Sequence, residues 1–144
     1  MTTQTTNIDE TKRDAFAGRM FEAALGFADV LTVYLGDRLG LYDALRAGGP
    51  QTASQLAARA GAHERYIREW LEQQAASGIV DVDDVSAAPG ERRFSLSPEH
   101  AEVLTERDSL NYLAPFMRQM TGVSVGLPAL LDAFKRGGGV PYAS

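Results

Sequence analysis

The side chains capable of chemistry are few, and most sit where the backbone has its own use for them. Asp81, Asp83 and Asp84 with Glu91 offer oxygens suited to a hard cation. The run lacks the loop glycine and bidentate glutamate of an EF-hand, so a solvated turn accounts for it. His63 and His100 are the only histidines, 37 positions apart, and the chain has no cysteine to complete a zinc set. No metal site is expected. Ser54, Ser77 and Ser97 fall near expected helix boundaries, where a hydroxyl serves the backbone, and none has the setting of a nucleophile elbow. Gly137-Gly138-Gly139 has the composition of a phosphate cradle, but it follows a helical pattern rather than a buried strand. It reads as a helix stop and hinge. Neither a catalytic nor a cofactor-binding residue is expected in this chain.

Composition narrows the classes further. With 144 residues, 44% of them hydrophobic, the chain can bury one core and is too short for two ordinary domains. A net charge of -5 supplies no attraction for polyanions, which argues against nucleic-acid or anionic-membrane partners. The absence of cysteine excludes a disulfide framework, and Met1 to Thr6 is polar, without the apolar run of a signal peptide. A cytoplasmic protein is expected.

The elements that position these residues are marked by local signals. A helical section leaves through Leu39-Gly40-Leu41-Tyr42-Asp43-Ala44-Leu45 and ends at Ala47-Gly48-Gly49-Pro50. Thr52 and Gln55 have capping-box spacing, and the short helix they open carries Leu56, Ala57 and Ala60 inward to a stop at Gly61. The next helix starts near His63 and presents Tyr66, Ile67, Trp70, Leu71 and Ala75 before Ser77-Gly78 closes it. Ile79 to Asp83 and Arg92 to Leu96 alternate as half-buried strands around a loop at Val85 to Gly90. Ser97 caps a further helix with Pro98 at its first position. Leu110, Leu113, Phe116, Met117 and Met120 form an apolar stripe that Pro115 must kink or restart. A last helix follows, with Leu127, Leu130, Leu131 and Phe134 on one side and Lys135 and Arg136 in its final turn. Helix, helix, helix, two short strands and helix describe a winged-helix module. The expected fold is mainly α with a small two-stranded β wing and extra N- and C-terminal helices.

The first helix is unusual. Residues 1–13 read as a flexible tail, and from Asp14 to Leu39 one stripe holds Phe16, Met20, Phe27, Val30, Leu31 and Tyr34. A second, beside it, holds Phe21, Leu25, Ala28, Leu35 and Leu39, so the apolar arc spans roughly 220°, about twice what one core-facing helix needs. Gly18, Glu22, Asp29, Gly36 and Asp37 make up the polar remainder. Two surfaces must cover the arc, whether other helices of the chain or a second subunit. The expectation is that Phe27 and Leu31 face the chain's own core, whereas Phe21, Leu25, Leu35 and Leu39 form a homodimer interface.

Several of these runs, taken in order, carry a resemblance. They are Leu39 to Leu45, Leu56 to Gly61, Arg65-Tyr66-Ile67-Arg68-Glu69-Trp70-Leu71, Ala76 to Val80 and Phe94 to His100. The succession resembles the N-terminal winged-helix domain of class I S-adenosylmethionine-dependent methyltransferases, with His63 where that family usually has Asn or Asp. Arg136 to Tyr142 looks like the linker that precedes the catalytic domain in one bacterial branch. The resemblance divides the chain into residues 14–106 as the winged-helix domain and 107–144 as a helical extension. It implies that S-adenosylmethionine is bound by a following Rossmann-like domain, since no strand-GxGxxG-helix unit exists here. It also implies a small-molecule substrate for the intact enzyme, with Phe16, Met20, Tyr34 and Tyr142 contributing to a pocket wall. No catalysis is expected from residues 1–144 alone.

Two alternatives remain open on the sequence: a winged-helix transcription regulator and a free-standing accessory subunit of a methyltransferase. For the regulator, the helix after His63 would enter the major groove and need exposed cationic or amide side chains. Arg65 and Arg68 are outnumbered there by Glu64, Glu69 and Glu72. In the wing, Arg92 and Arg93 are outnumbered by Asp81, Asp83, Asp84 and Glu91. Carboxylates on both surfaces repel a phosphate backbone.

Overall fold

A computed structural model describes residues 8–141. Its elements are α1 (Glu10–Arg38), α2 (Leu41–Gly48), α3 (Ala53–Ala60), α4 (Glu64–Ala76), β1 (Asp81–Val82), β2 (Phe94–Ser95), α5 (Pro98–Thr105), α6 (Ala114–Val125) and α7 (Leu127–Arg136). The α-rich fold with a two-stranded antiparallel wing is as expected. α2, α3, α4 and the wing wrap a core in which Leu41, Tyr42, Leu45, Leu56, Leu71 and Phe94 are fully buried. None of the described helices is long and apolar enough to cross a membrane.

Local chemistry explains most boundaries. Thr52 and Gln55 form the reciprocal capping box at α3, and Gly61 ends that helix in the left-handed conformation at φ 63°. Ser97 accepts from the His100 amide, with Pro98 in the first turn of α5. Pro115 lies in the first turn of α6, so the helix restarts there rather than kinking. The wing is shorter than its alternation suggests, with Asp81 opposite Ser95 and Val82 opposite Phe94. Beside β2, Gln51 pairs with Phe94 through an isolated antiparallel bridge.

Two expectations about α1 require correction. The helix begins at Glu10, not Asp14, because Asp9 accepts the Lys12 amide as N-cap, so residues 10–13 belong to the helix and not to a tail. The face turned to the chain's own core is also not the one apolarity selects. Phe27 is 47% exposed and Leu31 37%, whereas Val33 and Gly36 are the buried residues of α1. Asp29, Thr32, Val33, Gly36 and Asp37 stand at i, i+3, i+4, i+7 and i+8, and it is this strip that meets α4, α2 and α6.

Candidate interaction surface

The joint that seats α1 is polar and close. A Cβ on Gly36 would stand 2.4 Å from Trp70 Cζ2 and 2.6 Å from Tyr42 Cε2, so only glycine lets the two rings lie against the helix. Trp70 and Tyr42 are themselves in contact, 5.3 Å between centroids. Trp70 Nε1 donates to Thr32 O at 2.9 Å, Gln74 Nε2 to Thr32 Oγ1 at 3.0 Å, and Gln73 Nε2 to Asp29 Oδ1 at 3.0 Å. Tyr42 Oη donates to Gln74 Oε1. Burial, with the nearby Asp37 and Asp29 carboxylates, pushes the Tyr42 phenol far above its usual range. On the other side Arg118 of α6 grips Asp37 with two guanidinium nitrogens, 2.5 and 2.7 Å from the two carboxylate oxygens.

With its polar strip docked, α1 leaves most of the apolar arc outward, with Val30 and Tyr34 half-buried. Every residue from Glu10 to Ala28 is exposed, a helical arm about 28 Å long. Phe21 is 66% exposed and Leu25 52%, and Leu35 and Leu39 carry the same surface to the end of the helix. Eight large apolar side chains, Phe16, Met20, Phe21, Leu25, Phe27, Leu31, Leu35 and Leu39, lie open. At roughly 100 Å² apiece they expose on the order of 800 Å², one partner's share of a standard protein interface. The expected interface residues are thus on the surface. Phe16 and Met20 are exposed on the same arm and line no cavity with Tyr34, which is half-buried; Tyr142 lies outside the described residues. Phe27 and Leu31, expected to face the chain's own core, join Phe21 and Leu25 in the open.

The other chemical candidates are committed locally. Asp83 Oδ1 accepts from the amides of Asp84 and Arg93, and Asp84 Oδ1 from the amide and hydroxyl of Ser86. Ser86 accordingly holds the Asp84 carboxyl below the usual carboxylate range. Among the described residues no three acidic or histidine side chains are placed to share an ion. His63 stands at the start of α4 without a side-chain cap bond and packs its ring 5.1 Å from that of Tyr66. His100 donates from Nδ1 to Ile79 O. Ser77 Oγ donates to Asp29 Oδ1 at 2.6 Å, tying the end of α4 to α1. On the surface of α4, Glu72 takes both of its oxygens to Arg92 of the wing, at 2.9 and 2.8 Å.

Comparison with known proteins agrees with this architecture. The Rv2258c-like winged HTH domain family matches residues 27–106, more than half of the chain. The chain belongs to that family. In this winged HTH domain α3 and α4 form the helix-turn-helix and β1 and β2 the wing. Human N-acetylserotonin methyltransferase in complex with SAM aligns at 18% identity and a TM-score of 0.68, over 99% of this chain and 41% of that one. The mitomycin 7-O-methyltransferase MmcR aligns at 26% identity and 0.58, over 76% and 30%. PigF with SAH aligns at 24% and 0.61, over 87% and 33%. The chain therefore spans 30 to 41% of the length of these proteins. The resemblance to the N-terminal region of S-adenosylmethionine-dependent methyltransferases is borne out. No curated protein matches the sequence.

Proposed function

We propose that this chain is the dimerisation and substrate-lid half of an S-adenosylmethionine-dependent methyltransferase, with the methyl donor bound by a separate catalytic half. The carrying observation is the apolar arc of α1, left uncovered by a domain whose fold is that of methyltransferase N-terminal regions. Patches of that size rarely persist on monomers. A second copy covers it, and Phe16, Met20, Tyr34 and Tyr142 join a substrate pocket that is completed by the catalytic half. Phe21, Leu25, Leu35 and Leu39 lie in the contact between copies. The acidic surface of α4 and the wing argues against duplex DNA as the partner.

Two differently tagged copies, mixed at about 100 μM and drawn down through one tag, test this reading. The untagged-for copy should co-purify stoichiometrically, and Leu25→Glu should abolish its capture, because a carboxylate buried in an apolar contact costs several kcal/mol. Independent behaviour of the wild-type copies would remove the arc from the argument and the dimerisation reading with it.

A further inference from the structure

Arg59 of α3 and Arg93 beside β2 line one groove of about 530 Å³. Neither guanidinium has a carboxylate partner among the described residues, and no carboxylate lines the groove. Arg93 Nη2 donates to Pro50 O at 2.6 Å, which fixes that side chain and leaves the rest of its fork free. Gln51 is 4% exposed and is held by its amide nitrogen, which donates to Ala44 O at 2.9 Å and Gly49 O at 3.3 Å. Its Oε1 is buried without a donor. Gly48 keeps the space beneath: a Cβ there would stand 2.5 Å from Gln51 Nε2 and 3.0 Å from Arg59 Nη2.

We propose that this groove binds the carboxylate of a small organic acid between Arg59 and Arg93. Two arginines that line one groove without an acid partner offer the planar, bidentate guanidinium geometry that a carboxylate fits, in a chain whose net charge is -5. The space is of the size that holds an organic molecule and exceeds what a bare ion fills. Pro50 and Ala58 supply apolar surface for its body, and Gln55 a side-chain amide. Gln51, whose oxygen lacks a donor, lines the same groove. Gly48, which has no left-handed backbone to demand glycine, lets the Gln51 amide and Arg59 lie against the end of α2.

Calorimetry on the 144-residue chain with benzoate, acetate and inorganic phosphate as probes tests the assignment. Benzoate should saturate one site per chain with a dissociation constant of about 0.1–1 mM, and acetate should bind more weakly. Arg59→Gln and Arg93→Gln, both exposed positions, should each weaken benzoate about tenfold or more, with circular dichroism unchanged. Gly48→Ala, which helix propensity favours, should weaken it by pushing the Gln51 amide and Arg59 out of place. Absence of saturable benzoate binding up to about 10 mM, or equal affinity in the double arginine variant, overturns the site. Phosphate binding as tightly as benzoate overturns the carboxylate assignment, since the groove would then read charge alone, and acetate binding as tightly overturns the part given to Pro50 and Ala58.

Discussion

Gly36 shows how a single residue decides which way α1 faces. Propensity alone favours alanine there by about 1 kcal/mol. The methyl group would meet Trp70 and Tyr42 at less than 3 Å, and overpacking of that kind costs about 1–3 kcal/mol or more. Gly36→Ala should therefore lower stability by about 1–2 kcal/mol in urea unfolding; a gain would show that the rings yield easily. Tyr42 adds a pH dependence. Its folded pKa is raised above the ordinary value of 10.0, mainly by burial, so its contribution is complete below about pH 10 and is lost as pH rises and the unfolded phenol ionises. The urea midpoint of the wild type should fall between pH 9 and 11 more steeply than that of Tyr42→Phe, and identical slopes would contradict the burial. Tyr42→Phe should also cost about 1–3 kcal/mol at neutral pH, because Gln74 Oε1 loses the hydroxyl that it accepts from.

At the scale of elements, what was legible in the sequence was what local chemistry dictates. The Thr52–Gln55 box, the Gly61 stop, the Ser97-Pro98 start and the order of helices and wing all follow from residues within four positions of one another. The inner face of α1 was not legible, because it depends on hydrogen bonds to residues 38 to 81 positions away and uses polar and small residues. Asp37 is taken up by Arg118, Asp29 by Gln73 and Ser77, and Thr32 by Trp70 and Gln74. Periodicity finds the broadest apolar face, and here that face belongs to the exterior. The site was thus half visible: Phe21, Leu25, Leu35 and Leu39 are exposed, as an interface requires, and Phe27 and Leu31, expected in the core, are exposed with them. Substitution separates the two faces. Val33→Glu, at 7% exposure, should unfold the chain or detach α1, whereas Leu31→Glu should keep native circular dichroism and weaken only association. Unfolding by Leu31→Glu would restore the apolar stripe to the core.

At the scale of the whole molecule, the packed helix-turn-helix core contrasts with two helices that remain largely open. α1 projects an apolar arm, and α7 has no buried residue although Leu127, Leu130, Leu131 and Phe134 share one side of it. Among the described residues, α7 makes its principal packing against α6 alone, and it ends at Gly137, Gly138 and Gly139, all with positive φ, as a hinge would. On the proposed reading, a second copy and the catalytic half enclose this apolar surface, since patches of that size rarely persist on monomers. Self-association through α1 tests that directly. Sedimentation equilibrium at about 100 μM should give twice the chain mass for the wild type and the single-chain mass for folded Leu25→Glu, since even a modest interface of this area reaches micromolar affinity. A wild-type chain that sediments as a monomer at that concentration would contradict the account.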